Sequence, residues 1–455
     1  MMNYARSLAL LPIVIGSLAF LTAGGSPLAG QAPDAAPEPE ALALEEALQA
    51  ALATHPLLDG ATASADAADA GRAEARAGWF PTLALSGTAT RYEEETIVAP
   101  LHRFDPADPP LFDRTLFQGR LDAGYALFDG GARGARTTRA AALLAAAESG
   151  VRLAREEVIL GTASAFARAR AAETRRAAAE ARVSAATAEA ERAARMAAEG
   201  AAADVERLRA DAALRGAEAD LAAALGEESV HRRQLARWMG EDPAALAARP
   251  LEGLVPQETG VPVDAPPVNA AIDRARHVAG AADAALDAAR ATRFPRLDLR
   301  AGLIEFGSAD GDFQGEWQAG VALTFPLFTG GARGAAIDRA SAEARAARSA
   351  LASTRLERAN AIDRWTASLD AAFERGAALA ERVDALVEVE RIEALALREG
   401  VGTQRDLLDA QADLFEARAA LADTEAQQAV AALEMARAAG LLTVDWVTRT
   451  LERTP

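Results

Sequence analysis

The chain is one unit written twice, and this duplication restricts its fold more than any other feature. Leu127-Phe128-Asp129-Gly130-Gly131-Ala132-Arg133-Gly134-Ala135 returns as Leu327-Phe328-Thr329-Gly330-Gly331-Ala332-Arg333-Gly334-Ala335, with eight of nine positions identical at an offset of 200. The same offset sets Glu199-Gly200 on Glu399-Gly400, Leu208 on Leu408 and Gly240 on Gly440. Upstream, Phe80-Pro81 matches Phe294-Pro295 at an offset of 214, so copy one carries about fourteen more residues between its Phe-Pro and its Gly-Gly. A long-period repeat of this kind means that each copy is one supersecondary unit that must bury its apolar surface against others.

Each copy has the same internal order. A helical stretch comes first, residues 41–78 in copy one and 267–293 in copy two, and the Phe-Pro ends it because the residue before proline is pushed out of the α region. Two strand-like runs follow. From Phe117 to Phe128 one face reads Phe117, Leu121, Tyr125, Leu127 and the other Gln118, Arg120, Asp122. From Trp317 to Phe325 one face reads Trp317, Val321, Leu323, Phe325 and the other Gln318, Gly320, Thr324. Leu83–Tyr92 and Leu297–Phe306 alternate less cleanly. Period-two alternation predicts strands with one apolar and one polar face. The insert Glu93–Arg114 reads as a Pro/Asp/Glu-rich connection in copy one. Most aromatics lie in residues 79–128 and 294–328. Clustered aromatics on such strands suit a membrane barrel, although a soluble sandwich would show the same alternation.

After each Gly-Gly the chain becomes a rod. Arg133–Glu199 and Arg333–Glu399 lack proline and are dense in Ala, Arg, Glu and Leu, all strong helix formers. About 66 residues at 1.5 Å each give roughly 100 Å of helix. Gly200 and Gly400 are placed as C-terminal caps. A second helix returns from Asp204 or Thr403 to about Gly240 or Gly440, and Thr403-Gln404-Arg405-Asp406 resembles a capping box. Gly130, Gly131, Gly330 and Gly331 read as strand-to-helix hinges. Each copy is thus a β-hairpin attached to a long helical hairpin with little core of its own.

Composition excludes several functions. The chain has 455 residues, no cysteine and no lysine, so all 48 basic residues are arginine. Disulfides, thiolate nucleophiles, a Walker lysine and a Schiff-base lysine are excluded. A net charge of −18 argues against nucleic acid as a partner. Gly-Gly-x-x-Gly lacks the G-x-G-x-x-G of a phosphate loop and recurs in a hairpin context. His55, His102, His231 and His277 are scattered, with no metal-ligand spacing. No catalytic constellation is present, so the chain reads as a non-enzyme without cofactor or metal.

Residues 1–31 have a short basic start, an apolar run over Leu8–Leu21 and small residues after it, the layout of a secretory signal peptide. No later run is long and apolar enough to span a membrane as a helix. The expected organisation is a signal peptide at 1–31, a first repeat at 41–241, a linker or equatorial segment at 242–266, a second repeat at 267–441 and a tail at 442–455. Asp406 and Asp409, three apart at a helix start, share one face. They suit either favourable charge at a helix N-terminus or a ring of carboxylates at a pore mouth.

The duplicated plan, the Phe-Pro before each β-hairpin, the Leu-Phe-x-Gly-Gly after it, and Val401-Gly402-Thr403 followed by Asp406-Leu407-Leu408-Asp409-Ala410-Gln411 together resemble the TolC family of outer-membrane channel proteins. The resemblance covers about residues 41–440. It implies a mainly α fold with a small β part: duplicated long helical hairpins form an α-barrel, and four strands per chain contribute to a trimeric transmembrane β-barrel. It also implies a homotrimer in the outer membrane of a Gram-negative bacterium, in contact with lipid and with a long periplasmic part. The implied partners are a periplasmic adaptor and an inner-membrane pump or exporter. Function would be passive exit, in an efflux pump or a type I secretion system. Under it Asp406 and Asp409 form the pore aperture, and Gly200, Val401, Gly402 and Thr403 mark adaptor-contacting helix tips. Copy one departs at its tip, where Gly200-Ala201-Ala202-Ala203 is bland and Glu206 and Arg209 stand in place of the aspartates. The competing expectation is a non-transporting periplasmic coiled-coil adaptor or envelope spacer, which would not need four aromatic-rich strands.

Overall fold

The computed structural model describes residues 41–99, 107, 111–201, 203–247, 249–257, 269–311 and 313–451. The expected signal peptide lies outside the described residues, as do 258–266 of the expected linker, 452–455 of the expected tail, and His102.

The repeat is realised almost residue for residue. Copy one runs α2 (Pro56–Ala77), β1 (Thr82–Ile97), β2 (Phe112–Phe128), α3 (Ala132–Ala198) and α4 (Asp204–Met239). Copy two runs α6 (Ala270–Ala291), β3 (Arg296–Gly307), β4 (Phe313–Thr324), α7 (Ala332–Arg398) and α8 (Gln404–Ala439). The paired helices match in length: 22 residues for α2 and α6, 67 for α3 and α7, 36 for α4 and α8. Three short helices break the symmetry: α1 (Leu44–Thr54), α5 (Pro243–Leu246) and α9 (Val444–Leu451).

One expectation needs correction and one a trim. The first helical stretch is two helices, not one. His55 is extended ahead of Pro56, and its Nδ1 accepts from Leu57 N at 3.3 Å to start α2. The insert Glu93–Arg114 is a connection that the strands enter from both ends. β1 runs on to Ile97 and β2 starts at Phe112, because Thr96, Ile97 and Phe112 are strand formers and the prolines cluster between them.

The four strands form one antiparallel sheet in the order β1-β2-β3-β4. Leu85 pairs with Leu121, Leu121 with Leu303, and Leu303 with Trp317, so this row lies on one face. Leu83, Tyr125, Leu299, Val321 and Leu323 share that face at even spacing. It is uncovered: Leu85 is 83% and Trp317 75% exposed. The opposite face carries Thr88, Gln118, Arg120, Asp122, Arg300 and Gln318. β1 and β4 each have one unpaired edge.

Below the sheet the helices form a single layer. Next to the sheet α2 packs on α3, α3 on α6 and α6 on α7; farther away the order is α4, α3, α8, α7. One compact core sits midway along the rods. It joins Leu44 and Leu48 of α1, Ile159 and Phe166 of α3, Leu235 and Met239 of α4, Leu433 of α8, and Val447 and Leu451 of α9. Burying such side chains stabilises by about 1.5–3 kcal/mol each. Backbone bonds bind the segments between and after the repeats to it: Leu42 N to Pro250 O, Glu252 N to Leu42 O, and Val255 N to Leu451 O. Buried Arg232 adds to the seam, donating from Nη1 to Leu246 O and Arg249 O while Nε donates to Glu228. Residues 442–451, expected as part of a tail, therefore include a helix docked on this core.

Among the described residues no helix is long and apolar enough to cross a membrane.

Candidate functional site

Two kinds of junction shape the molecule: the turns that join sheet to rods, and the tips of the rods.

At the first junction Gly130 and Gly131 have φ of 67° and 91°, and at the second Gly330 and Gly331 have 60° and 85°. Two successive left-handed residues turn a strand straight into a helix, which side chains with a Cβ resist. Asp129 closes the first turn by accepting from Gly131 N at 3.2 Å and Arg133 N at 2.8 Å. Thr329 accepts from Arg333 N at 3.4 Å in the second. The guanidinium of buried Arg133 lies 4.7 Å from the Trp79 ring and 5.7 Å from Tyr125, fixing α2, β2 and α3 together. Arg333 lies 5.5 Å from Phe325. Neither arginine was singled out from the sequence. The signal was there, since Ala-Arg follows Gly-Gly in both copies.

At the tips both rods end in Schellman turns. Ala201 N donates to Met196 O and Gly200 N to Ala197 O; Val401 N donates to Ala396 O and Gly400 N to Leu397 O. Gly200 and Gly400 take φ of 71° and 77°. The returning helices start differently. Ala203 at the head of α4 offers no side-chain cap, whereas the Thr403 hydroxyl accepts from Asp406 N at 3.2 Å and donates to Asp406 Oδ2 at 2.6 Å. Gly402 lies in a tight bend, where a Cβ would come within 2.9 Å of Ala396 Cβ. Val401 beside it is 83% exposed.

Asp406 and Asp409 are both exposed at this tip. Asp406 works as a capping acid, and Asp409 lies 3.5 Å from Arg405. Within one chain, then, each carboxylate serves the start of α8, and the tips of two or more copies must meet before these neighbouring pairs can form a ring.

Farther up, Arg358 of α7 donates from Nε to Ala438 O at 2.9 Å, and Asn269 Nδ2 donates to Arg437 O at 3.3 Å. They cap the C-terminal carbonyls of α8, and the cation meets the negative end of its dipole. Burial pushes the carboxyls of Glu156, Glu425 and Glu434 up, with Arg437 partly opposing this at Glu156 and Glu434 and Arg170 at Glu425. At Glu46 the hydrogen-bonded Arg249 guanidinium holds the carboxyl down.

Of the histidines within the described residues, His55 stacks on Trp238 at 4.9 Å, His231 Nδ1 faces Gln234 Oε1 at 3.3 Å, and His277 lies on α6. Among the described residues no three metal-ligating side chains come together.

The sequence profile described as outer membrane efflux protein matches residues 47–241 and 263–441. No curated protein matches the chain. Solved structures do. A membrane protein from Pseudomonas aeruginosa is 23% identical with a TM-score of 0.77, over 87% of this chain and 90% of that one. The outer membrane protein VceC of Vibrio cholerae is 24% identical with a TM-score of 0.76, over 87% and 96%. The CmeC outer membrane channel of Campylobacter jejuni is 15% identical with a TM-score of 0.77, over 89% and 88%. At such identities the likeness establishes the fold: long helical hairpins duplicated around a small antiparallel sheet, as in channels of the TolC type.

Proposed function

Because the chain belongs to the outer membrane efflux protein family, we propose that three copies of it form a continuous exit duct across the outer membrane and the periplasm. The duct is the passive outlet of an efflux pump or a type I secretion system and performs no chemistry of its own. A periplasmic adaptor and an inner-membrane pump or exporter supply selection and energy.

The observation that carries this reading is the sheet: predominantly apolar on the face of Leu85, Leu121, Leu303 and Trp317, polar on the face of Gln118, Arg120, Asp122 and Gln318, and open at both β1 and β4. Four strands cannot close, since the smallest outer-membrane barrels use about eight. In lipid each unpaired backbone group would cost several kcal/mol. Twelve residues, the length of β3 and β4, span about 40 Å along the strand, or roughly 28 Å of membrane at a 45° tilt, close to the hydrocarbon thickness. Joining β4 of one copy to β1 of the next closes the edges, and the helix layer closes with it, α7 meeting the neighbour's α2 above and α4 below.

The tips then converge. Gly200, Val401, Gly402 and Thr403 form the rim that an adaptor grips, Gly130, Gly131, Gly330 and Gly331 turn barrel into tunnel, and Asp406 and Asp409 from three copies ring the aperture. Six carboxylates in a narrow mouth focus negative potential and favour cations.

Light scattering of the purified chain in mild detergent tests the assembly: a trimer is expected, and a monomer would end the reading. In planar bilayers the trimer should conduct, with cation preference that Asp406→Asn together with Asp409→Asn abolishes. Unchanged selectivity would remove the aspartates from the aperture while leaving the duct intact.

A further inference from the structure

The geometry points to a second feature, and we propose it as a binding site for aromatic organic anions on the hollow side of the helix layer. A cavity of about 470 Å³ is bounded by α3, α4, α7 and α8. α4 and α7 are the outer members of that part of the layer and do not pack on each other extensively. A cavity that both line requires the layer to bow around it. The compact core lies on another side: Arg168 and Arg175, seven apart on α3, stand about 200° around the helix from Phe166, which packs against α1.

The lining is cationic in a chain of net charge −18. Arg175 is engaged, at 2.8 Å from Glu227 and 3.5 Å from Asp423. Arg168 and Arg375 line the same cavity from two different helices, both exposed, and neither pairs with a carboxylate among the described residues. His231 adds a polar ring, and Trp365 and a floor of alanines add apolar surface. Two planar guanidiniums match two acidic groups, each able to hold an anionic oxygen pair bidentately. The indole and the alanine floor suit a flat apolar body between those groups. An inorganic anion would leave that surface and most of the volume unused.

This proposal concerns binding by the folded chain and does not rest on conduction. If the assembled chain is a duct, the hollow side faces the bore and the cavity is a station on the exit path.

The test uses the purified full chain in mild detergent at low salt, titrated calorimetrically with 1,5-naphthalenedisulfonate, a probe too polar to enter micelles. Saturable binding at one site per chain is expected. Arg168→Gln with Arg375→Gln should weaken it at least about tenfold, since each lost charge-assisted bond is worth roughly that much. Both positions are exposed, so thermal melting of the double variant should match the parent. Trp365→Phe should remove the ligand-induced quenching of tryptophan fluorescence. The same ring bearing two ammonium groups should not bind. Absence of saturable binding, undiminished binding by the double variant, or equal competition by inorganic sulfate would overturn the proposal.

Discussion

α3 and α7 are the same rod in two copies, yet they live in different surroundings. Both have 67 residues, both start from a left-handed glycine pair, and both end in a Schellman turn. α3 is buried almost without interruption from Val158 to Ala172, while the matching stretch of α7 buries only Leu369 and Ala372. Position by position the contrast reverses chemistry. Glu156 is partly buried, whereas its counterpart Leu356 is 67% exposed. The difference comes from parts outside the repeat. α1, α5, α9 and residues 249–257 wrap the middle of α3, α4 and α8, whereas α7 meets this cover at its margin, where Trp446 of α9 packs on the cluster of Leu369 and Met435. Duplication supplies two equal rods; the additions decide that one becomes the scaffold of the core and the other the open edge of the chain.

The largest expected effect breaks this contrast at its centre. Phe166→Ala should cost about 3–5 kcal/mol by leaving a cavity in the core, while Thr366→Ala at the matching position should stay within about 0.5 kcal/mol. Urea unfolding in detergent reads both, and equal losses would mean that α7 also carries core. Next come the hinges. Gly330→Ala should cost about 1–2 kcal/mol from its left-handed backbone alone. Gly130→Ala should cost about 1–3 kcal/mol more, because its Cβ would meet Ala291 O at 2.6 Å and Phe294 Cβ at 2.8 Å, whereas nothing lies within 4 Å at Gly330. Equal melting shifts would show that packing at the first junction yields freely.

The caps sharpen the comparison at the tips. Thr403→Ala should lose about 1 kcal/mol, and Ala203→Thr should gain up to about as much, both followed by thermal melting. The smallest effect concerns Glu156. A carboxyl whose folded pKa is raised binds its proton more tightly in the folded state, so its contribution to stability falls as pH rises from about 4.3 through the folded value. Glu156→Gln should therefore melt slightly above the parent at pH 7 and level with it below about pH 4. A constant offset at both pH values would assign the change to packing.

What could be read in advance was whatever depends on single residues in series. Gly-Gly and Glu-Gly delimit α3 and α7 to within a residue, and Gly240 and Gly440 end α4 and α8, because a left-handed φ acts locally; Phe-Pro lies three residues past the ends of α2 and α6. Alternation over Phe117–Phe128 and Trp317–Phe325 placed the polar and apolar faces of β2 and β4. The core was not legible. Rods built of alanine carry no strong apolar stripe, so nothing in α3 announces that Phe166 is enclosed while Thr366 is not. α9 was missed because its eight residues form a helix by docking rather than by propensity. At the candidate site Thr403 and Asp406 were readable as a capping pair, but Arg133, Arg358 and the cavity around Arg168 arise from contacts between distant segments.

The hold of Arg358 on the end of α8 also has a mechanical consequence. There α7 has left α6, to which Arg348 ties it through Asp283, and takes up α8 instead. Beyond that clamp α7 is held once more on α8, where Leu369 packs with Met435 and Gln428 Nε2 donates to Ala372 O at 3.0 Å, and from there it runs about 26 residues, or roughly 39 Å, to its tip. A rod held along its middle acts as a lever toward its end. A tilt of about 5° at the last hold swings the far end by about 3 Å, the rise of about two residues. Side-chain adjustments too small to disturb the packed middle are thus multiplied into displacements on the scale of a whole side chain at Val401.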